Sequence, residues 1–134
     1  MIEKRKILIL DDEGSIRDLL KEVLEGAGYE VITSGNPGIT AVRAYRADAI
    51  VLDLHMARSN EMHGLDVLIH LWEDKQLKIP ILIFSAYAGF DETVKEIGEI
   101  EKTYGEGRRV HASVSKADGI DMLLSAIDSL FNER

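Results

Sequence analysis

Apolar residues gather in three unbroken runs, residues 7–10 (ILIL), 49–52 (AIVL) and 79–84 (IPILIF). Continuous rather than alternating runs mark strands buried on both faces, as in a parallel sheet. Two weaker runs, residues 29–33 and 109–114, read as further strands. Between the runs the apolar positions switch to helical spacing. Ile16, Leu19, Leu20, Val23 and Leu24 form one stripe, stopped by Gly26 and Gly28. Leu65, Leu68, Ile69 and Trp72 form another, and Ile120, Leu123, Leu124, Ile127 and Phe131 a third. A weaker stripe, Phe90, Val94, Ile97 and Tyr104, is interrupted by Gly98 and Glu101, and a short helix is predicted through Ile39, Val42, Arg43 and Tyr45. The order is βαβαβαβαβα. It predicts an α/β fold, a doubly wound, flavodoxin-like (βα)5 parallel sheet of five strands with helices on both faces. No internal repeat, linker or low-complexity segment interrupts it.

This architecture says where chemistry belongs. In doubly wound sheets ligands bind at the carboxyl ends of the strands, beside the switch in strand order. In the order 2-1-3-4-5, strands one and three are neighbours at that switch. Asp11, Asp12 and Glu13 follow strand one directly, and Asp53 ends strand three. Asp11, Asp12 and Asp53 are therefore expected to converge in one shallow pocket. Two carboxylates about 4 Å apart repel by roughly 4 kcal/mol at an effective dielectric near 20. Three of them call for protons or a cation, and a hard, oxygen-seeking ion such as Mg²⁺ suits them. Capping of the following helix explains one aspartate. It leaves unexplained a second beside it and a third at the neighbouring strand end. Ser85, ending strand four, adds a hydroxyl to the same rim, and Lys116, following strand five, adds an ammonium.

Composition narrows the function classes. A chain of 134 residues is one domain by length, with 46% hydrophobic and 30% charged residues, an ordinary globular profile. Sixteen basic against 24 acidic residues give a net charge of −8, which argues against a nucleic-acid-binding surface. The short clusters Lys4-Arg5-Lys6 and Arg108-Arg109 read as solvated strand starts. Absence of cysteine excludes disulfides, thiol catalysis and cysteine zinc sites, and it fits a reducing compartment. The amino terminus lacks the form of a signal peptide, and the longest apolar run is far too short to span a bilayer. A soluble, cytoplasmic protein with no membrane or nucleic-acid partner is expected. Among His55, His63, His70 and His111 there is no i,i+4 pair, so a transition-metal site is not expected.

The ordered set Asp11-Asp12, Asp53, Ser85 and Lys116 resembles the receiver domain of two-component response regulators, which are CheY-like. The resemblance covers essentially the whole chain, with Gly28-Tyr29-Glu30-Val31 and Gly64-Leu65 where that family has similar runs. It implies a single receiver domain over residues 1–134, without room for an output domain, that is not an enzyme toward other substrates. Asp53 would accept a phosphoryl group from a phosphohistidine on a sensor histidine kinase or phosphotransfer protein. Asp12 would ligate Mg²⁺ directly, Asp11 mainly through water, and the main-chain carbonyl of His55 would add a ligand. Ser85 would hydrogen-bond the arriving phosphoryl group and Lys116 would pair with its charge. His55 would also control water access to the aspartyl phosphate. Output would pass to an unknown downstream protein or through a homodimer.

Several positions depart from that family. Ala117 stands where a proline usually follows the lysine, and the Lys116–Ala117 bond is expected to be trans, with the ammonium still directed at Asp53. Ser113 stands where the family usually has the aromatic residue that swings inward on activation. Residues 56–63 are longer than typical, with Ala57 where a proline is common. The stretch from Ser85 to Lys116 is longer too, carrying Gly105 and Gly107. These departures keep a second reading open, a pseudo-receiver serving as an interaction scaffold without working phosphorylation. A phosphatase of the haloacid dehalogenase type would need Asp-x-Asp after strand one, whereas Asp11 is followed two residues later by Glu13. A flavodoxin-like nucleotide binder would need a glycine pattern that cradles phosphate in the same loop.

Overall fold

The computed structural model describes residues 4–35, 40–54 and 64–132. Five strands, β1 (Lys6–Leu10), β2 (Glu30–Ser34), β3 (Ala49–Leu52), β4 (Ile81–Ser85) and β5 (Ala112–Ser115), form one parallel sheet in the order β2-β1-β3-β4-β5. The helices are α1 (Gly14–Gly26), α2 (Thr40–Ala44), α3 (Gly64–Glu73), α4 (Asp91–Tyr104) and α5 (Ile120–Asn132), and a 3₁₀ turn, Lys116–Asp118, leads into the last.

Strand residues alternate between two cores, as the two-residue period of a strand requires. Leu8, Leu10, Ile50, Leu52, Ile81 and Ile83 pack with Ala44 of α2, Leu68 and Leu71 of α3 and Ile97 of α4. Ile7, Ile9, Val51, Leu82, Phe84 and Val114 pack on the opposite face with Leu20 and Leu24 of α1 and Leu123 and Ile127 of α5. Both faces of the central strands are thus covered, which is why their sequences read as unbroken apolar runs. Each such side chain contributes about 1.5–3 kcal/mol on burial.

The weaker predicted elements shift. β5 begins at Ala112 rather than Arg109, because residues 108–111 are drawn into a loop and only His111 N–H joins the strand end, donating to Ile81 O at 2.8 Å. α4 runs unbroken through Gly98 to Tyr104. A helical glycine costs about 1 kcal/mol, and the packing of Ile97, Ile100 and Tyr104 against the core offsets it. Phe90 and Val94 stay more than half exposed, and Leu19 on α1 is also exposed, so these stripe positions are not core.

Arg108 does not solvate a strand start. Its Nε donates to Gly105 O, Nη1 to Asp74 O and Leu77 O, and Nη2 to Trp72 O and Tyr104 O, at 2.5–3.3 Å. One guanidinium so bridges carbonyls from the end of α3, the loop after it and the end of α4, and Asp74 O and Gly105 O also accept from Leu77 N–H and Arg108 N–H. Gly105 makes the fold-back feasible. A Cβ there would lie 2.4 Å from both Arg108 O and Glu101 O.

Candidate functional site

β1 lies between β2 and β3, and the chain leaves its carboxyl end where the strand order reverses. The main chain holds the site tightly there: Asp11 N–H donates to Ser34 O at 3.2 Å, and Asp53 N–H to Leu10 O at 2.9 Å. The two aspartates thereby stand side by side at adjacent strand ends, each only 2% exposed, with Asp12 at 7%. One carboxylate oxygen from each of the three lies within 4.8 Å of the others.

The two oxygens of Asp11 do different work. Oδ1 accepts from Glu13 N–H at 3.0 Å, a local turn that opens α1. Oδ2 accepts from the Lys116 ammonium at 2.9 Å, and the same Nζ reaches Asp53 Oδ2 at 3.3 Å. One oxygen of Asp11 thus shapes the turn ahead of α1, whose amino terminus has no side-chain cap hydrogen bond, and the other faces the pocket. Lys116 is delivered from β5 through the 3₁₀ turn, which Ser115 Oγ caps by accepting from Ala117 N–H at 3.2 Å. The Lys116–Ala117 peptide bond is trans. Burial alone pulls the Lys116 pKa down. The hydrogen bond to Asp11 and the charges of Asp53 and Asp11 outweigh it and hold the ammonium above its ordinary value.

Ser85 is the last residue of β4 and fully buried. Its hydroxyl oxygen accepts from Tyr87 N–H at 3.3 Å, which ties it to the turn before α4. Its strand partner is Ser115, next to Lys116, so hydroxyl and ammonium are offered from neighbouring strands. Ser113 on β5 pairs with Ile83 of β4 and is exposed, without an aromatic ring at that position. The predicted residues Asp11, Asp12, Asp53, Ser85 and Lys116 all lie at the carboxyl ends of four strands. His55, with residues 56–63, lies outside the described residues.

Arg17 is a neighbour of the site that sequence reasoning missed. Its Nη1 donates to the main-chain carbonyl of Asp11 at 2.6 Å. The guanidinium packs against Gly35, where a Cβ would fall 2.6 Å from Nη1. A glycine directly after strand two, opposite the first turn of α1, was the available signal.

Three carboxylates facing one lysine leave the pocket net negative even with Arg17 at its edge. Oxygen donors, small separations and excess negative charge fit a hard divalent cation. A carboxylate fixed beside an ammonium is also suited to accept a phosphoryl group, whose developing charge such cations stabilise.

Comparison with known proteins bears on the family and the fold. A sequence model described as the response regulator receiver domain matches residues 7–101. The chain is 36% identical over 85 residues to the DNA-binding response regulator MtrA of Mycobacterium tuberculosis, covering 62% of this chain and 35% of that protein. It is 30% identical over 124 residues to the cell cycle response regulator CtrA of Brucella ovis, covering 85% of this chain and 52% of that protein. The chain thus spans from about a third to a half of these relatives. Among solved structures, it superposes on chemotaxis protein CheY4 of Vibrio cholerae with a TM-score of 0.74 at 25% identity, covering 94% of this chain and 98% of the other. The receiver domain of NtrX from Brucella abortus gives a TM-score of 0.72 at 20% identity, covering 96% and 99%. The description of MtrA as DNA-binding runs against the expectation of no nucleic-acid partner, which holds at most for the acidic surface of these 134 residues. Among the described residues, no helix is long and apolar enough to cross a membrane.

Proposed function

The chain belongs to the response regulator receiver domain family of two-component signal transduction, and from that premise we propose that it is a working phosphoacceptor with Asp53 as the nucleophile. The observation that carries this reading is the position of Asp53. It is buried between two further aspartates, with the Lys116 ammonium 3.3 Å from its Oδ2.

In the proposed transfer an Asp53 carboxylate oxygen forms a bond to phosphorus as the phosphorus–nitrogen bond to a partner's phosphohistidine breaks. The imidazole leaves as a neutral base once protonated. The transition state is loose, with charge spread over the equatorial oxygens, so positioning and cationic charge matter more than a proton relay. Asp11, Asp12 and Asp53, with the His55 carbonyl beyond the described residues, would hold Mg²⁺, which when bound supplies positive charge against those oxygens. Lys116 moves from its two carboxylates to the new dianionic group. The Ser85 hydroxyl donates to a phosphoryl oxygen, and Tyr87 N–H, bonded to the same Oγ, feels that reorientation. Phosphorylation adds strong acceptor oxygens and further negative charge, enough to shift the population between two packings of the adjoining turn. The domain acts chemically only on its own phosphorylation and dephosphorylation. Its phosphodonor is a sensor histidine kinase or phosphotransfer protein, and its output goes to a protein partner or a homodimer. The intact acid–lysine arrangement lends no support to the scaffold reading.

The test is incubation with Mg²⁺ and acetyl phosphate, followed by intact mass measurement. Wild type is expected to gain one phosphoryl mass and Asp53→Asn none. Equal labelling of both would place the acceptor elsewhere.

A further inference from the structure

The end of the sheet opposite the acidic site carries a feature that phosphoacceptor chemistry does not use. A pocket of about 420 Å³ opens beside the amino-terminal ends of β4 and β5. Trp72, Ile79, Pro80, Val110 and Leu130 line it with apolar surface, and Lys78, Arg108, Arg109 and His111 line it with basic groups. No aspartate or glutamate is among its lining residues, on a chain whose net charge is −8.

The basic groups divide into two kinds. Arg108 has every N–H committed to a main-chain carbonyl, so it has no donor to spare. Carbonyl dipoles satisfy its hydrogen bonds but leave its positive charge unneutralised, and that charge is half-buried beside the Trp72 ring. Lys78, Arg109 and His111 make no side-chain hydrogen bond or ion pair among the described residues, so their donors remain available. Of the neighbouring carboxylates, Glu101 on α4 accepts from Val110 N–H at the pocket's edge, while Asp74 accepts from Gln76 N–H and Glu106 pairs with Lys75 away from it. A fixed positive charge at the wall, the free cationic donors of Lys78 and Arg109 at the mouth and an apolar floor suit an anion with an apolar body. The volume falls in the range of small-molecule sites. An arginine fork and a lysine ammonium both serve phosphate oxygens.

We propose that this pocket, between Lys78, Arg109 and His111 and over Trp72, binds a small phosphate monoester carrying an apolar group. It is separate from the phosphoacceptor site, and the proposal does not rest on that function.

Trp72 is the chain's single tryptophan and supplies the reporter. Phenyl phosphate is titrated into the full chain without Mg²⁺, following Trp72 fluorescence and backbone amide shifts, with inorganic phosphate in parallel. Saturable binding is expected, with shifts centred on Lys78, Val110 and His111. Phenyl phosphate should bind more tightly than inorganic phosphate. The double variant Lys78→Gln/Arg109→Gln should weaken binding at least tenfold with an unchanged melting temperature, whereas Asp53→Asn should leave it unaltered. Absence of saturation up to about ten millimolar would overturn the proposal. So would shifts that fall at the acidic end of the sheet, or equal binding by the double variant.

Discussion

The Lys116 ammonium stands nearer to Asp11 than to Asp53, 2.9 Å against 3.3 Å. It therefore serves chiefly to compensate the acidic cluster, and in the proposed transfer it would turn toward Asp53 as that residue took the phosphoryl group. Replacing it with methionine keeps the stem and removes the charge. Loss of one charge-assisted contact, worth about 1.5–3 kcal/mol, should slow labelling of Asp53 by acetyl phosphate roughly tenfold to a hundredfold. Time-resolved intact mass measures this, and an unchanged rate would remove Lys116 from the site.

The same residue makes a prediction about pH. Its folded pKa is raised, so its contribution to stability is complete below the ordinary lysine value of 10.5 and is lost as pH rises through the higher folded value. Urea unfolding between pH 6 and 9 should give a constant difference between wild type and Lys116→Met. Above pH 10.5 the difference should shrink. Tyr29, whose hydroxyl donates to Asp128 and whose pKa is raised by burial and by that partner, also titrates in alkali. Its loss falls equally on both proteins and cancels in the difference. A difference that shrank already near neutrality would show that the ammonium is not held by its carboxylates.

Mg²⁺ should stabilise the domain, because a cation that binds only the native state adds RT ln(1 + [L]/Kd). With millimolar affinity and about ten millimolar ion, that is roughly 1.4 kcal/mol, a shift of a few degrees in Tm. Asp12→Asn should reduce the response more than Asp11→Asn, since Asp11 already divides its oxygens between Glu13 N–H and Lys116. Thermal melts with and without the ion measure it. No response in wild type would remove the metal from the proposal.

The central architecture was readable from residues because a strand covered on both faces must be apolar throughout. Residues 7–10, 49–52 and 81–84 have this property, and the strand ends then locate Asp11, Asp53 and Ser85. β5 was less distinct: Ala112-Ser113-Val114-Ser115 is an edge strand with only Val114 buried, so little pattern marked its start. Phe90 and Val94 fit a helical stripe, but Phe90 caps α4 and Val94 lies on its first turn, away from the part that packs through Ile97, Ile100 and Tyr104. Arg17 and Arg108 were hidden for a common reason. Their partners are main-chain carbonyls, which every residue possesses, so no complementary side chain announces the contact.

Arg108 allows the sharpest stability test. Its guanidinium bridges carbonyls from the end of α3, from the loop that follows it and from the end of α4, a reach that depends on five donors in a rigid fork. A lysine ammonium has three donors on a point charge and cannot span all five carbonyls, of which Asp74 O and Gly105 O keep the main-chain donors Leu77 N–H and Arg108 N–H. Each half-buried carbonyl left unpaired costs about 1–3 kcal/mol. Arg108→Lys should therefore destabilise the domain by about 1–3 kcal/mol in urea unfolding despite conserving charge. Arg109→Lys, on an exposed neighbour, should stay within about 0.5 kcal/mol of wild type. The clasp lies at the strand ends opposite Asp53, so labelling by acetyl phosphate should be unchanged in Arg108→Lys under conditions where it remains folded. If the two variants were equally stable, the carbonyl clasp would contribute nothing in solution, and Gly105→Ala, which crowds the same fold-back, should then be tolerated as well.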